Sequence, residues 1–331
     1  MPTNGGATIK PKRGLITLLL LLISLSLLSL TLGRYPRPGF SNPFKGGLMG
    51  QIVLNVRLPR LLLAIFGGAS LAMAGFVFQM LFNNPLVEPG FLGVSQGAAF
   101  GAALAITLGG SLLIVQLSAS LFGLLALASS YWLARKFTYG GWILRLVLAG
   151  ITMGALYSAG LSIIKLVASP TTSLQDITFW MMGGLWNTTW QTLWSVMPTM
   201  LIINSLLLIF RWRVNLLSLD ERTAHSIGIA INREKALLLF LATVATTSII
   251  SVAGLIGWVG LIIPHLARRL FGANARYALP ASMLLGSLFL VASDTLGRAL
   301  LSSEIPLGVL TSLVGALLFV LLFAGKRGEK I

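Results

Sequence analysis

Residues 236–267, ALLLFLATVATTSIISVAGLIGWVGLIIPHLA, run for 32 positions without a Lys, Arg, Asp or Glu. As one helix the stretch would be about 48 Å long at 1.5 Å per residue, too long for a hydrocarbon core of about 30 Å. Gly254, Gly257 and Gly260 offer break points in its middle, so two short crossings are expected, 236–253 and 256–269. Eight further apolar runs suit membrane helices: 15–33, 61–82, 91–108, 112–134, 142–168, 191–210, 278–301 and 308–324. The expected fold is all-α, a polytopic membrane protein of about ten transmembrane helices forming one domain over 1–331. A porin-type barrel is excluded, because its strands would alternate polar and apolar residues.

Composition agrees. The chain is 56% hydrophobic and 10% charged, too little charge to clothe a soluble domain of this size. The absence of cysteine excludes disulfides, thiolate chemistry and Cys-based metal sites. The start, KPKR then GLITLLLLLISLSLLSLTLG, has the order of a signal peptide. Its apolar part is longer than a typical h-region and no A-x-A site follows, so it is read as the first span.

The net charge of +16 does not point to nucleic acid, because the basic residues sit between apolar runs and form no continuous stripe. Basic residues at both ends favour an even number of crossings. With ten spans and both termini cytoplasmic, 17 of the 24 Lys and Arg fall inside, as the positive-inside rule requires. Seven fall outside, and five of these crowd the segment from Arg34 to Arg60. Arg57 and Arg60, in LNVRLPRLLL, thus stand on the side where cations are scarce.

Catalytic chemistry finds no support. There is no P-loop, no H-E-x-x-H and no G-x-S-x-G, and His225 and His265 lie in separate segments. Asp294 is read as the one buried carboxylate, with Arg298 at the i,i+4 spacing of an ion pair. Nearly charge-free spans argue against a proton- or sodium-coupled carrier, which needs ionisable or discontinuous-helix sites at mid-depth. Three polar interruptions stand out: NNPLVEPGFLG (83–93), the aromatic connection 169–190, and the hydrophilic stretch 217–235. Read as a helix, LDERTAHSIGI places Ala224 and Gly228 on one face with Asp220 and Glu221 at its start, where acidic groups suit the dipole.

The segments RLPRLLLAIFGGASLAMAGFVFQMLFNNPLVEPGFLGVSQGAAFGA (57–102), SLDERTAHSIGI (218–229), GLIGWVGLIIPHLARRLFGANARYALPASMLLG (254–286) and SDTLGRALLSSEIPLGVLTSLVGALLF (293–319) together resemble the FecCD-type permeases. These are membrane subunits of bacterial ABC importers for iron–siderophore complexes, haem and cobalamin. The resemblance implies a permease in the bacterial cytoplasmic (inner) membrane, a homodimer with the pathway along its interface. Two ATPase subunits would dock below, and a periplasmic or lipid-anchored binding protein above. No cofactor is expected in this chain; ATP and Mg would belong to the partner ATPase.

The resemblance also implies roles for single residues. Arg57, Arg60 and Arg298 match positions that meet acidic residues of the binding protein, and reversing Arg57 and Arg60 to Glu is expected to weaken docking without disturbing folding. Asp220, Glu221, Ala224 and Gly228 match the helices that couple to the ATPase. Asn84, Pro85 and Leu86 match the narrowing of the cytoplasmic exit. Ile143 and Leu144 stand at a second constriction where relatives can carry small hydroxyl residues. Met73, Phe76, Gln79, Met80 and Ser95 are candidates for the pathway wall, though core packing explains Phe76 and Met80 equally well. The expected cargo is an iron–siderophore, the alternatives being haem, cobalamin or an oxyanion. Outside that class stands an ATP-independent secondary carrier.

Overall fold

The computed structural model describes residues 10–33, 39–40, 47–216, 231–299 and 303–324. Apolar side chains, with few charges to interrupt them, make nearly every segment helical. The helices are α1 (Pro11–Thr31), α2 (Leu48–Leu81), α3 (Val94–Thr107), α4 (Leu112–Lys136), α5 (Trp142–Val167), α6 (Ser173–Met182), α7 (Trp190–Ile209), α8 (Arg211–Leu216), α9 (Ile231–Ala253), α10 (Val259–Phe271), α11 (Ala275–Ala299) and α12 (Leu307–Ala324). Among the described residues, α1, α2, α4, α5, α7, α9 and α11 are long and apolar enough to cross a membrane, and α3 and α12 are shorter apolar helices. Leu32–Gly33 and Gly39–Phe40 pair as a two-residue antiparallel ribbon after α1.

Helix α2 is the axis of the bundle, packed by α7, α9, α10 and α11. Its small residues permit this, since Gly67, Gly68, Ala69, Ala72 and Gly75 are all buried. At Gly75 a methyl group would overlap the backbone of Gly260 on α10, the close approach that only glycine allows. One core cluster, with Phe76, Phe78, Leu81, Leu146, Leu207 and Leu239, fills the end where α2 stops. A second, with Leu63, Leu71, Leu193, Met200, Ile249 and Leu290, fills the half where α2 begins. Helices α1, α4, α5 and α12 leave leucines and isoleucines such as Leu20, Leu121, Ile163 and Leu317 exposed, as a lipid solvent permits.

The 32-residue apolar stretch is not one helix. α9 ends at Ala253 and α10 begins at Val259. Gly254 takes φ +68° and Trp258, at the N-cap of α10, takes φ +72°. The aromatic connection 169–190 folds over this break as α6. A methyl at Gly254 would overlap the Trp180 carbonyl, and Gly184 N–H donates to the Ala253 carbonyl at 2.8 Å.

Candidate functional site

Two polar sites stand out among the described residues as candidates, one beside the α9–α10 break and one where α2 begins. The first is a cavity of about 510 Å³ bounded by the 83–93 turn, the start of α3, the middle of α5 and the break. The turn folds back into the bundle for local reasons. Asn83 adopts φ +48°, the Asn84 side-chain oxygen accepts from Leu86 N–H at 2.9 Å, and Pro89–Leu92 forms a 3₁₀ turn ending at Gly93. This carries Glu88 to the cavity wall. There its carboxylate accepts a hydrogen bond from the Trp258 backbone N–H, while burial pushes the carboxyl above the usual carboxylate range.

Ser95 and Gln96 line the same cavity, and the buried Gln96 Oε1 has no hydrogen-bond partner among the described residues. Thr246 adds a hydroxyl, and Leu71, Phe91, Ile151, Ile250 and Ile256 supply the apolar part of the wall. No Lys or Arg lines it among the described residues.

Sequence reasoning does not single out Glu88, which stands half-buried on the cavity wall, while Asp294 is the one carboxylate among the described residues with almost no exposed surface. A signal is present: a carboxylate in a Pro- and Gly-bearing turn can return with the chain into the bundle. Only the fold of the turn reveals that it does.

Of the five residues expected on a pathway wall, Ser95 alone opens on this cavity. Met73 and Phe76 are fully buried in the core, and Met80 packs against the same cluster. Gln79 is a strut between helices. Its Nε2 donates to the carbonyls of Leu261 at 2.8 Å and Gly260 at 3.2 Å, and its Oε1 accepts from Arg268. The sequence does not separate wall from core here, because an interior helix of this bundle is apolar on every side.

Asn84, Pro85 and Leu86 are exposed at the end of the bundle where α2 stops. Ile143 packs on the core cluster that holds Phe82 and Val87, the residues flanking that turn, whereas Leu144 is exposed. Asp220, Glu221, Ala224 and Gly228, with His225, lie outside the described residues. Among those described, no group of three His, Cys, Asp or Glu could hold a metal ion.

The second site is a charge cluster at the opposite end. A π-helical turn, Val53–Arg57, widens α2 and delivers Arg57 inward, where its Nη1 donates to the Leu30 carbonyl at 2.6 Å. Arg60 Nε lies 2.8 Å from Asp294 Oδ1, and Arg60 Nη1 lies 3.0 Å from Glu304 Oε2. Arg298 Nε stands 3.7 Å from Asp294 Oδ2, while its other nitrogens donate to the Leu32 carbonyl, Ser29 Oγ and the Ser29 carbonyl.

The three arginines thus gather at one end of the bundle, but they are not open charges. The Arg60 and Arg298 side chains are each 11% exposed and Asp294 5%, against 35% for Glu304. The expected i,i+4 pair exists as the longer of two contacts, because Arg60 reaches Asp294 first. The expectation that reversing Arg60 leaves folding intact is therefore corrected: a glutamate at this position would face Asp294 and Glu304 in a buried setting.

The profile of the FecCD transport family matches residues 16–324. The molybdate import system permease protein MolB of Haemophilus influenzae is 39% identical, covering 95% of this chain and 96% of its own. The hemin transport system permease protein HmuU of Yersinia pestis is 35% identical, covering 97% and 98% respectively. A solved ABC transporter assigned to the metal-chelate type, in an inward-facing conformation, superposes with a TM-score of 0.89 at 39% identity. It covers 95% of this chain and 99% of its own.

Proposed function

The chain belongs to the FecCD transport family, and from that premise we propose how this permease subunit of an ABC importer works and what it carries. It works as a homodimer of ten-helix subunits, both termini cytoplasmic, in the bacterial cytoplasmic membrane. Two ATPase subunits drive it, with ATP and Mg bound there, and a periplasmic or lipid-anchored binding protein supplies the cargo. The observation that carries this reading is the separation of charge along α2. The Arg57–Arg60–Arg298 cluster lies at one end, while Arg135, Lys136, Arg145, Arg213, Arg233 and Lys235 gather around the other, which carries the 83–93 turn. The crowded basic end suits the cytoplasm. The shorter helices α3, α10 and α12 complete the ten crossings.

In this reading the cavity beside the α9–α10 break is part of the cargo path. Ile151 and Leu148 of α5, next to it, are exposed and apolar, and a second copy there would close the cavity from the side. The turn Asn84–Leu86 and the start of α5 at Ile143 and Leu144 form the narrow exit. Coupling to the ATPase falls to Asp220, Glu221, Ala224 and Gly228.

The cargo is an organic chelate, an iron–siderophore in the first instance, with haem or cobalamin within the same chemistry. The cavity offers oxygen acceptors on Glu88, Ser95 and Gln96 and no described cation. With no described cation to pair it, a bare anion is disfavoured there, whereas a metal enclosed in an organic shell suits a wall that is mostly apolar. A second reading, molybdate, rests on the similarity to the molybdate permease.

Affinity capture of the tagged protein from native membranes tests the whole proposal. An ATPase with a P-loop should co-purify, together with a binding protein whose ligand is identified by mass and metal analysis. A chain that is isolated alone and transports in vesicles without ATP would overturn it. A binding protein loaded with molybdate would replace the chelate with the oxyanion and leave the importer standing.

A further inference from the structure

We infer that a pocket at the basic end of the bundle holds the head group of an anionic phospholipid. The pocket, about 800 Å³, lies where the end of α4 meets the starts of α5 and α9, and its polar lining includes Tyr131, Arg135, Trp142, Arg145, Arg233 and Lys235. Four of the six are cations, and no carboxylate lines the pocket among the described residues. The nearest acid in sequence, Glu234, is turned to Arg213 at 2.9 Å.

Apart from Lys235, the guanidinium groups of Arg135, Arg145 and Arg233 share this lining, and like charges so gathered repel unless an anion offsets them. Arg145 is also partly withdrawn from water. Arg145 Nη1 donates to the Phe137 carbonyl at 3.0 Å, but its buried Nε has no acceptor among the described residues. A guanidinium donor left unsatisfied in this way is costly, and a phosphate oxygen is the acceptor whose geometry fits it.

The surroundings choose the lipid over other phosphates. Tyr131 and Trp142 meet edge to face at 5.1 Å on the pocket wall. Trp132 is 61% exposed with Lys136 above its ring, and Tyr139 and Trp212 are exposed at the same end. Exposed Trp and Tyr beside cations mark the head-group level of a membrane. Leu237 and Phe240, in the next turn of α9, are exposed and apolar, a track for acyl chains leading away from the pocket. Basic pockets between transmembrane helices take anionic head groups by this combination of charge and depth. The inference needs only that the chain spans a membrane, and holds whichever cargo it carries.

The test is native mass spectrometry of the purified full-length permease, exchanged into equal amounts of phosphatidylglycerol and phosphatidylcholine with identical acyl chains. Phosphatidylglycerol should be retained in preference. Arg135→Gln and Arg233→Gln, at exposed positions chosen to leave folding intact, should each lower that retention about fivefold, with an unchanged melting midpoint as the control. Arg145→Gln should do the same if it folds, and the exposed pair decides if it does not. Equal retention of the two lipids, or unchanged retention in both Arg135→Gln and Arg233→Gln, would overturn the inference. So would displacement of phosphatidylglycerol by millimolar inorganic phosphate, which would make this a site for the free ion. Displacement by the ATPase subunit would make it a protein seat instead.

Discussion

Asp294 stands between two guanidinium groups, and its removal is the sharpest test of what holds the arginine end together. Asp294→Ala would leave Arg60 and Arg298 buried beside Glu304 alone, a loss of about 3–5 kcal/mol by analogy with broken buried ion pairs. Glu304→Ala, at a side chain 35% exposed, should cost less than about 1 kcal/mol. Thermal unfolding in detergent separates the two. Glu88 calls for a different test, because its carboxyl is raised by burial. Folding then takes up a proton, so its contribution is most favourable below the unfolded carboxyl value of about 4.3 and declines as pH rises through the raised folded value. Glu88→Gln should raise the melting midpoint at pH 8, and the gain should vanish near pH 4. A gain of equal size at both pH values would remove burial of the charge as its cause.

The break between α9 and α10 is the element on which the cavity depends. Trp258 holds a left-handed conformation there, a cost of about 1–3 kcal/mol for a residue with a side chain. It is kept by the Phe319 ring at 6.2 Å and by the Glu88 carboxylate on its N–H. Packing against α2 keeps α10 in register, through the Gly75–Gly260 approach and the Gln79 strut. Gly75→Val should force the two helices apart, costing about 1–3 kcal/mol and reducing transport more than assembly with the ATPase. Wild-type uptake by a Gly75→Val complex would show that this contact is not needed to shape the path.

At the scale of the whole molecule, docking and coupling are the functions to separate. Arg60→Glu is expected to lower folding yield, since it reverses a charge held 2.8 Å from Asp294. Loss of binding-protein affinity in that variant would therefore say little. Glu304→Lys changes the same end at a more exposed position, and should alter binding-protein affinity and its salt dependence while the chain still folds. Unchanged affinity would remove this end from the docking surface. Gly228→Trp should leave ATP hydrolysis running while uptake stops; uptake that survives would displace the coupling segment from 217–235.

Much of this protein is legible in its amino-acid sequence. Runs of apolar residues long enough to cross a membrane dictate helices, because backbone groups in hydrocarbon must pair within their own segment. The glycines of 254–260 mark a break. The RLPR, NPL and GWVGL motifs carry the family. The sequence does not say which apolar side chain faces a path and which faces a neighbour. On helices buried nearly all round, Met73 and Ser95 carry no pattern that tells core from wall. Nor does it show that Arg60 is committed to Asp294, 234 positions away, or that the 83–93 turn returns Glu88 to the cavity wall. Those pairings join residues far apart in the chain, and only the packing of α2 against α10 and α11 brings them within reach.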